Sequence, residues 1–310
     1  MIRHRPHGSG HPYSVDTEQR FPVVPPVGAT ATLGIRADAS VVAVAGTLEW
    51  RPDAGADIER TALTLERVAA TSRGRVADGG HLAWAAARLS RTAGGWQAST
   101  PELRFGGTYR YRFAATHDDG RVERTRWFEF RAARWQQAPD AVTEVGRARV
   151  LAGSVEMLHD GVRAWRVRFA LPLEADEHVT GFGERYDALD HRGTELDSVV
   201  FEQYRSQGAE RKTYLPMPFA HVIGGTGWGF HVDTCRRVWF DIGATDRARL
   251  GVEAETGPDG TVDVRLFDGS PVEVLSRFLD GAGRAVELPD WVFRLWASGN
   301  EWNTQAEVMR

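Results

Sequence analysis

Residues 109–130, YRYRFAATHDDGRVERTRWFEF, constrain the fold more than any other stretch of this sequence. Apolar and polar side chains alternate on both sides of Asp118-Asp119-Gly120, a pattern typical of two antiparallel strands joined by a tight turn. Other short β-rich segments, ATATLGI and VVAVAGTLEW, come earlier and are separated by Gly, Asp and Pro. Because no long amphipathic helix interrupts this series, we expect residues 21–136 to form a β-sandwich of immunoglobulin-like or carbohydrate-binding-like type.

A leader precedes this sandwich, and a second β-rich block follows it. Residues 1–20 are polar and rich in Gly, Pro and His, a composition that predicts a disordered leader. Residues 137–288 again contain alternating strands such as GVRAWRVRFAL, and GWGFHVDTCRRVWFDIG predicts two strands paired with each other. A second β-sandwich is therefore expected after a linker near Pro139.

One helix is well marked near the end of the second block. Ser270 is its predicted N-cap, Pro271 takes the first helical position, and Glu273 completes a capping box. The residues expected to form its apolar face are Val272, Leu275 and Leu279.

The character of the sequence changes over residues 289–310. The apolar run Val292–Ala297 is followed by a glycine-containing loop, and Thr304 with Glu307 then forms a second capping box, three residues before Arg310. A continuously apolar strand, a loop and a helix start are typical of a parallel β/α unit. The pattern predicts that a third fold class begins near Val292 and that the sequence contains only its first strand.

Composition argues against several classes of function. The formal net charge is −4 and Lys212 is the only lysine, so the sequence offers no concentrated basic face for nucleic acid. The single cysteine, Cys235, excludes an intramolecular disulfide and Cys-based metal sites. No run of 18 apolar residues predicts a membrane span, and the polar N-terminus shows no secretory signal, so a cytoplasmic location is expected. Neither a cofactor nor a metal site is expected, and the oligomeric state is left open.

Two neighbouring stretches carry most of the candidate chemistry. In GFGERYDALDHRG, residues 181–193, the acids Glu184, Asp187 and Asp190 could supply paired carboxylates for acid–base work, or could pair with arginines in a solvated loop. Residues 197–221 mix aromatic side chains with polar ones such as Glu202. That mixture suits the faces and hydroxyl groups of a sugar, and ordinary loop packing is the alternative interpretation.

Three motifs in this order resemble glycoside hydrolase family 31: GFGERYDALDHRG, TYLPMPFAHVIGGTGWGFHVDTCRRVWFDIG and LPDWVFRLWASGNEWNTQAEVMR. The resemblance covers about residues 140–310. It implies a galactose-mutarotase-like β-sandwich over residues 137–288 and the first strand of a truncated (β/α)8 barrel at Val292–Ala297. The implied fold is all-β, with two β-sandwiches followed by that strand. The implied function is the N-terminal non-catalytic region of a retaining α-glucosidase or α-xylosidase.

The resemblance also bears on catalysis. The family's nucleophile and general acid are aspartates on later barrel strands, so both are expected beyond Arg310. No catalytic role is therefore assigned to any residue of this chain, and the 310 residues alone are expected to be inactive.

Three residues receive a substrate-binding role from the resemblance. Glu202 and Tyr204, in the loop at about 197–207, are implied to border the acceptor subsite. Trp302, in the loop after the first barrel strand, is implied to stack on a sugar ring. The expected partner is an α-linked oligosaccharide or glycoside. The residues interpreted as structural are Gly181, Gly183, Glu184 and Arg185.

Two other functions remain open at this stage. The chain could be a stand-alone carbohydrate-binding β-sandwich protein without catalysis. A mutarotase acting on free sugars is weaker, because no positioned His/Glu pair stands out in the sequence.

Overall fold

Four β-sheets supply most of the regular secondary structure in the computed structural model, which describes residues 1–10, 12, 15–68, 95–201, 207–257, 259–296 and 304–309. Two sheets face each other in each half of the chain, and each pair encloses its own apolar core. The all-β class and the two β-sandwiches expected from the sequence are therefore confirmed.

Ten strands, up to Phe130, build the first sandwich in the described part of the chain. They are β1 (Ile2–Arg3), β2 (Arg20–Phe21), β3 (Thr32–Ala37), β4 (Val41–Pro52), β5 (Glu59–Thr64), β6 (Glu66–Val68), β7 (Gly95–Ser99), β8 (Gly107–His117), β9 (Val122–Arg124) and β10 (Phe128–Phe130). One sheet has the order β1-β3-β7-β6 with β2 also on β3, and the other has the order β10-β8-β4-β5 with β9 also on β8. Tyr111 and Phe113 of β8 point into the core and are fully buried, because alternate residues of a strand face the same side.

The second sandwich is built from strands that begin at Arg134. They are β11 (Arg134–Gln137), β12 (Val142–Val145), β13 (Glu156–His159), β14 (Ala164–Pro172), β15 (His178–Gly183), β16 (Thr194–Ser198), β17 (Pro216–Ile223), β18 (Trp228–Val232), β19 (Val238–Ile242), β20 (Arg249–Glu255) and β21 (Val262–Asp268). One sheet has the order β11-β13-β14-β20-β19-β16, and the other has the order β12-β21-β18-β17-β15. Phe182, Phe230 and Phe240 meet in its core.

The two strands of GWGFHVDTCRRVWFDIG form where the sequence predicts them, but they do not pair with each other. β18 pairs with β17 and β21, whereas β19 pairs with β16 and β20 in the opposite sheet. The five residues between the strands therefore carry the chain from one layer of the sandwich to the other. Alternation within a strand predicts which side chains face the core, but it does not select the partner strand.

The leader is ordered in the described residues, which differs from the disorder predicted for residues 1–20. β1 and β2 both pair with β3. His4 is buried and its Nδ1 lies 2.6 Å from the Gly34 carbonyl oxygen, while Glu18 is buried beside Arg36 at 3.0 Å. These polar side chains find partners inside the fold, so a polar composition was not sufficient reason to expect disorder.

Three short or medium helices and two 3-10 turns complete the described structure. The helices are α1 (Gln207–Glu210), α2 (Pro271–Ala282) and α3 (Gln305–Val308), and the 3-10 turns are Pro139–Ala141 and Asp290–Phe293. α2 begins after Ser270, whose amide donates to Glu273 Oε2 at 2.8 Å in the expected capping box, and α3 begins after Thr304 as expected.

The apolar face predicted for α2 is wrong. Val274 is fully buried and Phe278 stacks on Phe219, with 4.2 Å between ring centroids. Val272 and Leu275, by contrast, are exposed. The helix therefore packs on β17, β18 and β21 through Val274 and Phe278, roughly a third of a turn around its axis from the predicted face, and Leu279 of that face is only partly buried.

The barrel strand expected at Val292–Ala297 is not formed. Asp290–Phe293 is a single 3-10 turn, residues 294–296 have no regular structure, and Ala297 lies outside the described residues. A strand is stabilised by hydrogen bonds to a neighbouring strand, and the described part of this chain supplies none next to Val292. The Trp296 indole donates instead to the Val292 carbonyl oxygen at 2.8 Å.

Candidate functional site

The three candidate substrate-binding residues, Glu202, Tyr204 and Trp302, lie outside the described residues. Arg310, beyond which the catalytic aspartates are expected, also lies outside them, so the position of those aspartates stays a prediction. What the structure does place is the base of the loop that carries Glu202 and Tyr204. The chain leaves β16 after Ser198 and comes back through α1 to Thr213. We call the described part of residues 181–213 the loop base.

A backbone bulge forms the first part of the loop base. Gly181, Phe182 and Gly183 all have positive φ angles, at 127°, 62° and 86°, and the register between β15 and β17 shifts across them. A Cβ on residue 183 would lie 1.9 Å from the Leu215 carbonyl oxygen, so only glycine fits this approach. The bend directs Phe182 into the core, where its ring lies 4.8 Å from that of Phe240.

Arg185 closes the loop base by donating to three backbone carbonyls. Its Nε, Nη1 and Nη2 donate to the carbonyl oxygens of Phe182, Arg211 and Asp197 at 3.2, 3.0 and 2.8 Å. These carbonyls belong to the bulge, to the returning end of the loop and to β16. A planar guanidinium with five N–H groups can join three chain segments in this way.

The two ends of the loop are also joined directly by backbone contacts. Val200 and Thr213 form an isolated parallel bridge, and the Phe201 amide donates to the Thr213 carbonyl oxygen at 3.1 Å. Thr213 is fully buried and its hydroxyl donates to the Glu184 carbonyl oxygen. The loop base therefore fixes both chain ends between which residues 202–206 are inserted.

Asp197 lies at the point where the loop leaves β16. Arg237 donates to its carboxylate from Nε, at 3.0 Å from Oδ1, and from Nη2. Burial raises the pKa of Asp197, and the hydrogen bonds and charge of Arg237 oppose that rise. The pair is a bidentate, charge-assisted contact that fixes the end of β16.

Two of the three acids of GFGERYDALDHRG, Asp187 and Asp190, make structural contacts. Asp190 accepts from His178 Nδ1 at 2.6 Å and from the amides of Val179 and Arg192. Burial works against its ionisation, but these hydrogen bonds outweigh burial and lower the pKa of Asp190. Asp187 lies 3.6 Å from the Arg211 guanidinium. The geometry thus favours the structural interpretation of this stretch over a pair of working carboxylates.

One small cavity lies elsewhere on the second sandwich. Its volume is about 180 Å³, which is less than the roughly 300 Å³ at the lower end of ligand pockets. Glu144, in its lining, already accepts from the amides of Arg149 and Val150 at 2.7 Å each. The cavity is therefore too small for an oligosaccharide.

Two further properties bear on the site. Within the described residues, no group of three or more His, Cys, Asp or Glu side chains could hold a metal ion. No helix in that part of the chain is long and apolar enough to cross a membrane.

Arg237 is the residue that sequence reasoning missed at this site. It lies directly before β19, within CRRVWF, and nothing in that stretch indicates a partner in β16. Arg185, in contrast, lies within the polar motif, where the sequence predicts a structural role. In the structure its guanidinium holds three chain segments together by donating to their carbonyl oxygens.

Comparison with protein families gives two matches. Residues 8–115 match the 1,3-alpha-isomaltosidase-like N-terminal domain. Residues 96–241 match the glycosyl hydrolase 31 N-terminal galactose mutarotase-like domain. Because the two matched regions overlap, the domain boundary drawn between residues 136 and 137 stays a prediction.

Individual relatives agree with these families. The chain is 47% identical to a 1,3-alpha-isomaltosidase from Kribbella flavida over 99% of its own length and 41% of the relative's. It is 33% identical to an isomaltosyltransferase from Sporosarcina globispora, over 43% of this chain and 12% of that protein. The cycloalternan-degrading enzyme from Trueperella pyogenes, solved with a covalent intermediate, superposes with a TM-score of 0.83 at 40% identity. That superposition covers 100% of this chain and 42% of the enzyme.

The chain thus spans less than half the length of the relatives that it matches throughout. Its own fold, the order of its motifs and both family matches agree with one another. Over residues 96–241 this chain is the N-terminal galactose mutarotase-like domain of glycosyl hydrolase 31, and a 1,3-alpha-isomaltosidase-like N-terminal domain precedes it.

Proposed function

We propose that this chain is the non-catalytic N-terminal region of a retaining α-glycosidase that cleaves α-linked gluco-oligosaccharides. The observation that carries the proposal is the 47% identity to the Kribbella 1,3-alpha-isomaltosidase, which extends over nearly the whole chain. The Trueperella enzyme adds support, because it has been solved with isomaltose, with cycloalternan and with a covalent intermediate. A covalent glycosyl-enzyme is what a retaining mechanism forms. These relatives favour an α-glucoside over an α-xyloside as substrate.

The chemistry of the loop base supports a non-catalytic role for the chain. A retaining glycosidase needs two carboxyl groups about 5 Å apart, one to attack the anomeric carbon and one to protonate the leaving oxygen. Asp187, Asp190 and Asp197 each face a histidine or arginine partner instead. We therefore assign the bond-breaking carboxylates to a catalytic region beyond Arg310, which corresponds to the part of the longer relatives that this chain does not match.

The contribution of this chain to the substrate site rests on three residues. We propose that Glu202 and Tyr204 border the acceptor subsite and that Trp302 stacks on a sugar ring. The contacts of Arg185, Thr213 and Asp197 at the loop base support the first two, because a loop contributes to binding only when its base is held in place.

A chimera tests the proposal. The 310 residues of this chain replace the matching 41% of the Kribbella 1,3-alpha-isomaltosidase, and glucose and isomaltose release from cycloalternan is measured. We expect the chimera to turn over and the 310-residue chain alone to show no turnover. In the chimera, Trp302→Ala, Glu202→Gln and Tyr204→Phe should each lower kcat/KM by tenfold or more.

Turnover by the chain alone, abolished when its own acids are replaced, would show that the chain is itself catalytic. Asp280→Asn serves as a matched acid replacement away from the loop base, because Asp280 is an exposed residue of α2 that pairs with Arg284. It should leave kcat/KM within twofold of the unchanged chimera.

A stand-alone carbohydrate-binding protein is the second candidate, and the β-sandwich architecture favours it. Titration calorimetry of the 310-residue chain with isomaltose and cycloalternan separates the two. Saturable binding with a Kd below 100 µM, together with an inactive chimera, would favour the binding protein. The predicted cytoplasmic location belongs to the same proposal, and cell fractionation checks it.

A further inference from the structure

The N-terminal leader is attached at both ends to the first sandwich. β1 and β2 pair with β3, the Arg5 amide donates to the Glu18 carbonyl oxygen at 2.7 Å, and the Arg20 amide donates to the Pro6 carbonyl oxygen at 3.3 Å. The chain between Pro6 and Arg20 therefore leaves the sheet and returns to it. We call residues 9–14 the leader tip, of which 9, 10 and 12 are described.

The leader tip reaches the second sandwich at Pro12. Arg237, directly before β19, donates from Nη1 to the Pro12 carbonyl oxygen at 3.1 Å, across 225 residues of sequence. The arginine side chain is only 15% exposed, so the contact is made in a mostly desolvated setting, where a charge-assisted hydrogen bond is stronger than in water.

The same guanidinium holds the loop base. Its Nε and Nη2 donate to the Asp197 carboxylate, and the Asp197 carbonyl oxygen accepts from Arg185. Asp197 is followed by Ser198, the last residue of β16. One arginine thus joins the leader tip to the strand that leads into the candidate substrate loop.

We propose that Arg237 is a positioning residue that couples the leader tip to the loop base, so that the first sandwich fixes where the loop leaves the second. The geometry needs arginine, because a guanidinium presents N–H groups to a carboxylate and to a carbonyl oxygen simultaneously, in a rigid fork. A lysine at this position keeps the charge beside Asp197 but not that fork. The consequence for catalysis, though not the coupling itself, rests on the proposed function, in which the loop carries Glu202 and Tyr204.

Hydrogen–deuterium exchange on the 310-residue chain tests the coupling. One variant replaces residues 9–14 by a Gly–Ser–Gly link, which removes the carbonyl oxygen that Arg237 contacts and leaves every residue of the second sandwich unchanged. The other variant is Arg237→Lys. We expect amides in residues 194–201 to exchange at least tenfold faster in each variant, and no faster when the two changes are combined.

Arg265→Lys is the matched control, because Arg265 also pairs with an aspartate, Asp233, at 2.9 Å on the same sandwich. It should leave exchange in residues 194–201 unchanged. If the leader-tip replacement also leaves that exchange unchanged, the coupling is overturned, even if Arg237→Lys alone has an effect. The coupling is equally overturned if the effects of the two changes add.

Kinetics of the chimera separate the coupling from the proposed function. If the coupling and the proposed substrate role of the loop are both correct, Arg237→Lys and the leader-tip replacement should each raise KM for cycloalternan at least threefold, while kcat stays within twofold. Faster exchange combined with unchanged kinetics keeps the coupling and counts against the substrate role of the loop.

Discussion

At the scale of single residues, His4 shows how the first sandwich uses a polar side chain in its core. Its Nδ1 lies 2.6 Å from the Gly34 carbonyl oxygen, so Nδ1 carries the proton, and its Nε2 lies 2.7 Å from the Tyr111 hydroxyl. Burial lowers the pKa of His4 to about 4 and raises that of Tyr111 to about 12. Both side chains are therefore neutral at physiological pH, and each is satisfied by hydrogen bonds.

This arrangement predicts a loss of stability in acid. The pKa of His4 is about 4 in the folded chain, against 6.5 ordinarily, so between these values the unfolded state binds more protons. The free energy of unfolding should therefore fall as the pH is lowered, by about 2 kcal/mol between pH 7.5 and pH 5 from this group alone. Urea unfolding at the two pH values measures it.

The comparison protein for this experiment is His4→Gln, which keeps a polar side chain but cannot titrate. It should lose about 2 kcal/mol less than the unchanged chain over the same interval. His7, His191, His221 and His231, whose pKa values burial also lowers, are present in both proteins and cancel in the difference. Equal losses in the two proteins would show that His4 is protonated in the folded state.

The bulge glycines give a second prediction at this scale. Gly183→Ala should lower the free energy of unfolding by at least about 3 kcal/mol, since it adds both a positive-φ penalty and a Cβ 1.9 Å from the Leu215 carbonyl oxygen. Gly193→Ala has nearly the same φ, 79°, but no atom within 4 Å of its Cβ. It should cost only about 1 kcal/mol. Similar costs in chemical denaturation would mean that the close approach to β17 is easily relieved.

At the scale of elements, α2 offers two valines on opposite sides of one helix. Val274 is fully buried against β18, where Gly229 leaves room for it, whereas Val272 is 78% exposed. Val274→Ala should cost about 2 kcal/mol through lost burial and the cavity left behind. Val272→Ala should change stability by less than about 0.5 kcal/mol. Denaturation of both variants checks this, and a reversed order would place the other face of the helix against the sheet.

The sequence predicted where α2 begins but not its orientation, and the reason is physical. Ser270, Pro271 and Glu273 act locally, so the start of the helix can be predicted from neighbouring residues. Apolar residues occur on both sides of α2, so periodicity alone does not select the side that packs. The selection depends on Gly229, which lies in a strand more than 40 residues earlier. The pairing of β18 and β19 with opposite sheets likewise depends on strands that are distant in sequence, so a local pattern does not predict it.

At the scale of the whole molecule, Arg237 contacts residues that no local pattern brings together with it. The Arg237 contact with Pro12 spans 225 residues and joins two sandwiches. The fold class followed from alternation and turns, which repeat along the chain and are visible in any short window. The leader contact depends on how two complete domains pack, and the polar composition of residues 1–20 did not indicate that β1 and β2 pair with β3.

The C-terminal part of the described chain gives the last prediction, which concerns association. Residues 286–296 expose six large apolar side chains: Val286, Leu288, Trp291, Phe293, Leu295 and Trp296. Soluble monomers rarely expose so much apolar surface in one stretch. The 310-residue chain should therefore self-associate as its concentration rises, and Phe293→Ser with Leu295→Ser should raise the concentration at which it does so at least threefold. Leu189→Ser is the matched control, because Leu189 is 87% exposed but lies in the loop base.

Sedimentation velocity over a concentration series measures the association of all three proteins. A chain that stays monomeric at millimolar concentration, or a control with the same effect, would show that the 286–296 stretch does not drive association.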